Sequence, residues 1–242
     1  MSADVPPDTA HAPAATPHID ERLAASLRGF GPGGILAMLL ILFTGNMAIA
    51  PMLYIPVGAL LTLFWVRLSN TPWREIGYVR PRSWIATGVL GIVLGASFKL
   101  TMKAIVMPLL GADPINHAYH FLTGNRGLLP VAIYAMLMAG FAEETVFRGY
   151  AFERLGKLLG NGAWAKLAMV LSTSLWFGAA HLHDQGVSGA TQAAIVGLVL
   201  GTLYATTRRL PLLMVTHAAF DLTALAIIYF GLESRVALWV FR

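Results

Sequence analysis

The sequence of 242 residues contains no cysteine. This absence excludes disulfide bonds, thiolate metal sites and a cysteine nucleophile, and it leaves the redox compartment undetermined. Charged residues are scarce as well, at 12% of the chain against 57% for hydrophobic residues. Soluble domains carry roughly twice that charged share. Because so few charges could not cover the surface of a soluble protein, the composition indicates a protein that is solvated largely by lipid.

Alternation of apolar and polar residues is lacking too, which argues against a membrane β-barrel. The apolar runs extend over roughly 15–25 residues, as membrane-spanning helices require. They fall at 33–50, 51–68, 84–108, 128–147, 163–182, 190–207 and 210–230. We therefore expect an all-α, polytopic transmembrane helical bundle of about seven spans, within a range of about six to eight. Residues 33–68 form either two short spans or one broken helix, and two spans are favoured.

The first segment, residues 1–32, is rich in Ala and Pro and lacks an apolar core. It is predicted to be a flexible cytoplasmic N-terminal tail, with residues 33–242 as the transmembrane domain. The net charge of +5 does not indicate a nucleic acid, because Lys and Arg occur in short clusters between apolar runs. Twelve of them fall on the side of the N-terminus and three on the other, which predicts a cytoplasmic N-terminus. The lipid bilayer is the expected partner.

Each ionisable residue within the spans is expected to have a structural or functional role, because burying one in the hydrocarbon region costs ~2–4 kcal/mol. The densest group is FAEETVFRGY at 141–150. On a helix, Glu144 and Arg148 are i,i+4 partners that can pair along one face, whereas Glu143 points in another direction. The spacing predicts that Arg148 holds Glu144 and that Glu143 is free. Alternatively, all three form an ion-paired helix end at the interface.

Two further groups lie later in the chain, in WFGAAHLH (176–183) and THAAFD (216–221). Phe177 and His181 are one helical turn apart, so the aromatic ring packs beneath the imidazole. The alternative is a histidine that only satisfies a hydrogen bond at a helix end. His217 and Asp221 are i,i+4 neighbours that orient one another, bind a polar substrate together or form a simple buried pair.

The depths of these groups agree with one another. In an antiparallel hairpin that turns near Gly160–Gly162, Glu143 and His181 lie at the same level. His217 joins them if the charged stretch 148–166 protrudes into the cytoplasm. This counting predicts one site that opens toward the cytoplasmic side.

Such a site holds a carboxylate base, imidazoles and a short polar partner, which suits activation of water for attack on a carbonyl and stabilisation of the oxyanion. No HExxH motif is present, so a thermolysin-like zinc site is not indicated. By residue type, Glu143, His181 and His217 are candidate metal ligands, which leaves Zn²⁺ or another divalent metal open. No GxSxG motif surrounds a serine in these spans.

The three motifs EExxxR, FxxxH and HxxxD, in this order on successive late helices, resemble those of the CAAX-processing and bacteriocin-processing (CPBP, or ABI) intramembrane endopeptidases. They read Glu143-Glu144 to Arg148, Phe177 to His181 and His217 to Asp221. The chain is similar to the type II CAAX prenyl endopeptidases of that family. The resemblance places a catalytic core at about 128–230, and the family is often labelled as metalloproteases.

The resemblance also implies roles for the residues. Glu143 and His181 would activate water, His217 and Asp221 would stabilise the oxyanion, and Glu144 with Arg148 and Phe177 would support the site. The prenyl-protease branch has Asn at the position of Asp221. Since an ionised Asp can only accept hydrogen bonds, Asp221 is protonated, orients His217 or ligates a metal. Glutamate-dependent and metal-dependent mechanisms both stay open.

The function expected from this resemblance is an intramembrane endopeptidase that cleaves a membrane-associated protein or peptide, prenylated or not. Its expected location is the bacterial inner membrane. A non-catalytic immunity or scaffold protein that binds a peptide in the same cavity is an alternative from a different class. An ion-coupled transporter is a third, because Lys99 and Lys103 within one span could line a path. These lysines could equally extend to the membrane surface.

Overall fold

A computed structural model describes residues 20–44, 47–50 and 53–241. In chain order, its elements are α1 Glu21–Arg28, α2 Pro32–Thr44, β1 Met47–Ala50, β2 Leu53–Ile55, α3 Val57–Leu68, α4 Trp84–Leu109, α5 Leu129–Leu159, α6 Ala163–Thr207, α7 Leu210–Tyr229 and α8 Glu233–Ala237. The expected all-α bundle is confirmed. One short antiparallel pair, β1 with β2, lies between α2 and α3.

The expected number of about seven spans is not confirmed. Within the described residues, α4, α5, α6 and α7 are long and apolar enough to cross a membrane. A fifth span results if α1 and α2, which meet at a bend of 60°, count as one. The run predicted at 33–68 contains two separate helices, α2 and α3. Neither is long enough by itself, since they have 13 and 12 residues. The chain is nonetheless a multi-pass membrane protein.

Helix α6 turns back on itself at Gly186, where φ is 64° and ψ is −169°. Side chains other than hydrogen essentially exclude this backbone conformation, so glycine is required here. The two arms lie against each other, because Gly178 contacts Ala190 and Gly197 contacts Ser174. The 45-residue segment is therefore an antiparallel helical hairpin. Its arms contain the two separate apolar runs predicted at 163–182 and 190–207.

The segment expected to be a flexible tail differs in its last part. Residues 1–19 lie outside the described residues, whereas α1 begins directly after Asp20. The Asp20 carboxylate accepts a hydrogen bond from the backbone N–H of Arg22 at 2.9 Å and so caps the helix. Ala24 of this helix is buried. Residues 21–28 of the predicted tail are therefore helical, before the first apolar run begins.

Helix α7 lies between α4 and α5 and touches both closely. Gly91 and Gly95 of α4 face the backbone of α7, and a methyl group on Gly95 would collide with the carbonyl oxygen of Thr216. On the other side, Gly140 of α5 faces Ala218. Small residues at such contacts let membrane helices approach to backbone distance. The close contacts at these glycines therefore fix the position of α7 relative to α4 and α5.

The connector between α3 and α4, predicted to lie at the membrane interface, is joined to the bundle. Its Ile76 is fully buried, while Trp73 is exposed. The hydroxyl of Tyr78 and that of Thr145 on α5 are hydrogen-bonded at 2.8 Å. Burial raises the pKa of Tyr78 to about 12, against the smaller lowering effect of the Thr145 hydrogen bond. This connector therefore holds the end of α5 that follows the acidic pair.

Candidate active site

The four residues predicted to be catalytic line one cavity of about 310 Å³. Glu143 comes from α5, His181 from the first arm of α6, and His217 and Asp221 from α7. Sequence spacing had placed Glu143 and His181 at the same depth, with His217 joining them on a condition, and the structure brings all four together. The surrounding wall is largely apolar and includes Ala135, Met136, Ala139, Phe220, Ala224 and Ile228. An apolar cavity with a few converging polar groups is the usual form of a ligand-binding site.

Glu144 lies behind the cavity, with its side chain 0% exposed. One carboxylate oxygen, Oε1, accepts a hydrogen bond from Arg148 Nη1 at 2.8 Å, as the i,i+4 spacing predicted. The same oxygen accepts from His217 Nδ1, also at 2.8 Å. The second contact joins α5 to α7 and was not predicted from the sequence. Glu144 therefore orients the imidazole in addition to neutralising Arg148.

The helix changes its geometry at this point, since Glu144–Tyr150 is π-helical. A π-helical turn contains an extra residue and is frequent at functional sites. The turn follows Glu143 directly and contains both Glu144 and Arg148. Arg148 also lies over the Phe177 ring, with 4.8 Å between the guanidinium carbon and the ring centroid. The ion pair is thus enclosed by helix backbone on one side and an aromatic ring on the other.

The second nitrogen of His217 faces two more carboxylates. Nε2 lies 3.7 Å from Glu143 Oε2 and 3.5 Å from Asp221 Oδ2. Both distances exceed a normal hydrogen bond, so these oxygens are neighbours of Nε2 and not fixed partners. Glu144 contacts the ring more closely, at Nδ1, than Asp221 does at Nε2. Glu143 and Asp221 are left facing the cavity.

His181 has a simpler set of contacts. Its Nδ1 donates to the carbonyl oxygen of Phe177 at 2.8 Å, which leaves Nε2 able to accept a proton. The Phe177 and His181 rings are 4.6 Å apart, as the one-turn spacing predicted. Phe177 also touches His217, with 5.9 Å between the ring centroids. One buried aromatic ring therefore separates the two imidazoles and fixes their spacing.

The cavity extends in the direction opposite to the one expected. From Glu143 its lining runs toward the start of α5, through Ala139 and Met136, and toward the end of α7 at Ile228. It also reaches Tyr119 in the α4–α5 connection. The basic stretch that follows Arg148 lies at the other end of α5. The lining thus extends from Glu143 away from the basic end of α5, toward which the site was expected to open, because depth counting along helices cannot show where space is left between them.

Comparison with known proteins identifies the segment that holds this site. Residues 125–223 match the family model described as type II CAAX prenyl endopeptidase, Rce1-like. This segment is similar to an Rce1-like domain. All four cavity residues and the Glu144–Arg148 pair lie inside the matched segment, and the resemblance read from the three motifs is confirmed. The chain matched no curated protein and no solved structure.

The Rce1-like domain does not present a preformed metal centre. Among the described residues, no group of three or more His, Asp or Glu side chains is arranged to hold a metal ion. His217 Nδ1 is already bound to Glu144, and its Nε2 lies 3.7 Å from Glu143 and 3.5 Å from Asp221, beyond metal-ligand bonding geometry. The predicted ligand set of Glu143, His181 and His217 does not fit a metal as it stands. A metalloprotease is therefore not supported by the described residues, and the mechanism proposed for this site uses no metal.

Several polar residues of the cavity were missed by sequence reasoning. Tyr119 and Gln185 form a hydrogen bond at 3.1 Å, from the amide to the phenol oxygen, across its far end. Burial raises the pKa of Tyr119 to about 12, and the nearby carboxylates of Asp221 and Glu143 add to this effect. Gln185 lies one turn beyond His181 on the same helix, which was a detectable signal. Tyr119 lies in a loop and gave none.

Proposed function

We propose that this protein is an intramembrane endopeptidase that hydrolyses a peptide bond of a membrane-associated protein or peptide. The proposal rests on one observation above all. Within an Rce1-like domain, a buried carboxylate holds one nitrogen of His217 while two further carboxylates face the other nitrogen inside a largely apolar cavity. Buried ionisable groups in a membrane protein mark functional sites, because each is costly to keep there.

Glu143 is the proposed general base. Its carboxylate faces the cavity without a short hydrogen bond to His217, so it can accept the proton of a water molecule. His181 supports it, since Nδ1 is held by the Phe177 carbonyl and Nε2 can accept a hydrogen bond from the same water. The hydroxide then attacks the carbonyl carbon. The protonated Glu143 gives its proton to the leaving amine nitrogen as the C–N bond breaks.

His217 is the proposed donor to the oxyanion. Carboxylate oxygens face both of its ring nitrogens, and such oxygens attract N–H groups. We therefore assign a doubly protonated ring, in which Nδ1–H donates to Glu144 and Nε2–H donates to the developing oxyanion. Asp221 balances this charge from the adjacent turn of α7. This assignment gives the Asp a role that does not require it to donate a hydrogen bond.

The membrane setting adds to the proposal. The charge distribution favours a cytoplasmic N-terminus in a bacterial inner membrane, with seven crossings when α2, α3 and both arms of α6 are each counted. In that orientation the cavity lies toward the outer side. Its apolar lining suits a hydrophobic substrate segment, whether or not that segment carries a prenyl group. Lys99 and Lys103 are buried against partners, which offers no support for the transporter alternative.

The function can be tested by comparing protein termini in membranes from cells that produce the wild type, Glu143→Gln or His181→Ala. We expect new termini with the wild type, and a roughly 10²- to 10⁴-fold slower appearance with either variant. The matched controls are Glu75→Gln, an exposed acid on the connector, and His183→Ala, whose side chain is 98% exposed. Both controls should behave like the wild type.

A defined substrate completes the test. Purified protein in lipid nanodiscs is incubated with a farnesylated peptide or its unmodified counterpart, with and without a metal chelator. Cleavage that survives chelation but not Glu143→Gln supports the glutamate-based mechanism. If no terminus and no peptide depends on Glu143 and His181, the protein is not a peptidase of this kind, and a peptide-binding scaffold becomes the better explanation.

A further inference from the structure

A second cavity of about 310 Å³ adjoins the first one. It lies between α4, the α4–α5 connection and the turn of α6, and Lys103, Asp113, Gly186 and Ala237 are part of its wall. Four residues line both cavities, and all four are polar. We refer to this set as the polar collar, and its members are Lys99, Asn116, Gln185 and Gln192.

Lys99 is the charged member of the polar collar and is deeply buried, at 5% exposure. Its Nζ donates to Gln192 Oε1 at 3.0 Å and lies 4.8 Å from the centroid of the Phe220 ring. In the described part of the chain, no acidic oxygen lies within 4.0 Å of this ammonium group. One neutral amide and one aromatic face leave part of its hydrogen-bonding capacity unused. A buried ammonium ion that no carboxylate contacts is costly, and the more distant Asp221 and Glu233 offset only part of that cost, so a contacting anionic ligand would stabilise it.

The neighbouring lysine shows the contrast. Lys103 pairs with the buried Glu233 at 3.9 Å and donates to the carbonyl oxygen of Pro114. Glu233 is fully engaged, since it also accepts from the backbone N–H of Asn116 at 2.7 Å and contacts His120 Nδ1 at 3.0 Å. The charge of Glu233 therefore stabilises the α4–α5 connection. Lys99, by contrast, has no carboxylate in contact among the described residues, and Glu233 and Asp221 attract its charge only from farther away.

We propose that Lys99, with Gln192, forms a subsite that binds a carboxylate of the peptide substrate. This inference rests on the proposed peptidase function and specifies which substrates it accepts. The carboxylate can come from two sources, the C-terminal α-carboxylate or an Asp or Glu side chain. Either would form a charge-assisted hydrogen bond with the ammonium group, which is strong in a site shielded from water.

The position of Lys99 predicts that the subsite affects which peptide bond is cleaved. Phe220 contacts Lys99 and directly precedes Asp221, and all three line the first cavity, so the subsite lies beside the catalytic group. A substrate anchored by its carboxylate at the polar collar passes through the first cavity toward Glu143. The bond that reaches Glu143 then lies at a set number of residues from the anchored carboxylate. Lys99 would thus determine specificity without taking part in the chemical step.

The subsite can be tested by binding alone, with the full chain carrying Glu143→Gln in lipid nanodiscs. The probes are three fluorescent apolar hexapeptides: one with a free C-terminal carboxylate, one with a C-terminal amide, and one amide with glutamate as its last residue. We expect the amide without glutamate to bind roughly 10- to 100-fold more weakly than at least one of the acidic peptides. The acidic peptide that is preferred identifies the source of the carboxylate.

Added to this background, Lys99→Met should abolish the preference and Lys99→Arg should retain most of it. Lys166→Met is the matched control, because this exposed lysine near the start of α6 lines neither cavity, and it should leave the ratio unchanged. Gln192→Leu should reduce the ratio roughly two- to tenfold and tests the subsite even if Lys99→Met fails to fold.

Three results would overturn the inference: no preference for an acidic peptide, a preference that persists in Lys99→Met, or an equal loss for all three peptides. Absence of any peptide binding would contradict it as well. None of these results bears on the peptidase function, because that function is decided by Glu143-dependent cleavage in membranes. Conversely, loss of the peptidase function would leave a measured carboxylate preference intact.

Discussion

Glu144 has two roles, neutralising Arg148 and orienting His217, and mutations can separate them. The change to test is Glu144→Gln, which keeps the size of the side chain and removes its charge. In the wild type the carboxylate is 0% exposed and binds both Arg148 and His217 at 2.8 Å. The variant therefore leaves Arg148 as an unpaired cation in the bundle and leaves His217 without its carboxylate.

The magnitudes follow from these two contacts. Breaking a buried ion pair by neutralising one partner costs about 3–5 kcal/mol. The Arg148 side chain is 1% exposed, so solvent cannot replace the lost partner, and we expect a decrease of this size in the free energy of unfolding. Removing a carboxylate that holds a catalytic imidazole lowers turnover roughly 10²- to 10⁴-fold. Peptide affinity should change little, because Glu144 does not line the cavity.

The double variant Glu144→Gln/Arg148→Met distinguishes the roles. With both charges removed, the unpaired cation is gone, and most of the lost stability should return. Activity should stay low, because His217 still lacks its charged partner. The free energy of unfolding is measured by denaturant titration in mixed micelles, and turnover by cleavage of the peptide that the wild type accepts. Recovery of both quantities in the double variant would refute the reasoning, since Glu144 would then serve only to balance Arg148.

Three further predictions concern the framework of the site. Gly95→Val should separate α4 from α7, lower the unfolding temperature and abolish cleavage, whereas Gly88→Val, with open space around it, should affect neither. Gly186→Ala should cost about 1–3 kcal/mol of unfolding free energy through its backbone alone, and Gly162→Ala, at φ −66°, should cost little. Because burial raises the pKa of Tyr119 from 10.0 to about 12, the wild type should lose more stability than Tyr119→Phe as pH rises above about 10, which alkaline denaturation measures.

The sign of the last prediction follows from proton linkage. The unfolded chain releases the Tyr119 proton near pH 10, while the folded chain retains it to about pH 12. Stability from this group is therefore complete below pH 10 and is lost as pH rises through the folded pKa. A phenylalanine has no such proton, so an equal alkaline loss in the variant would contradict the burial of this hydroxyl.

Much of the fold followed from local sequence. The length of the apolar runs from residue 84 onward was sufficient to predict membrane helices, because an unpaired backbone is too costly in lipid. The Glu144–Arg148 pair and the Phe177–His181 contact also followed, since residues one turn apart on a helix meet wherever that helix lies. The structure near the N-terminus could not be predicted in this way, because the start of α1 and the strands β1 and β2 have only weak sequence patterns.

What the sequence by itself determined was a helical membrane protein with four candidate residues on three helices, two of them, Glu143 and His181, at the same depth. Only the tertiary structure decided which of them touch. The contact between Glu144 and His217 joins residues 73 positions apart, and that between Lys99 and Gln192 spans 93. Such contacts depend on how far each helix is rotated and shifted against its neighbour. Close packing at Gly95 and Gly140 sets those two quantities, and no single helix encodes them.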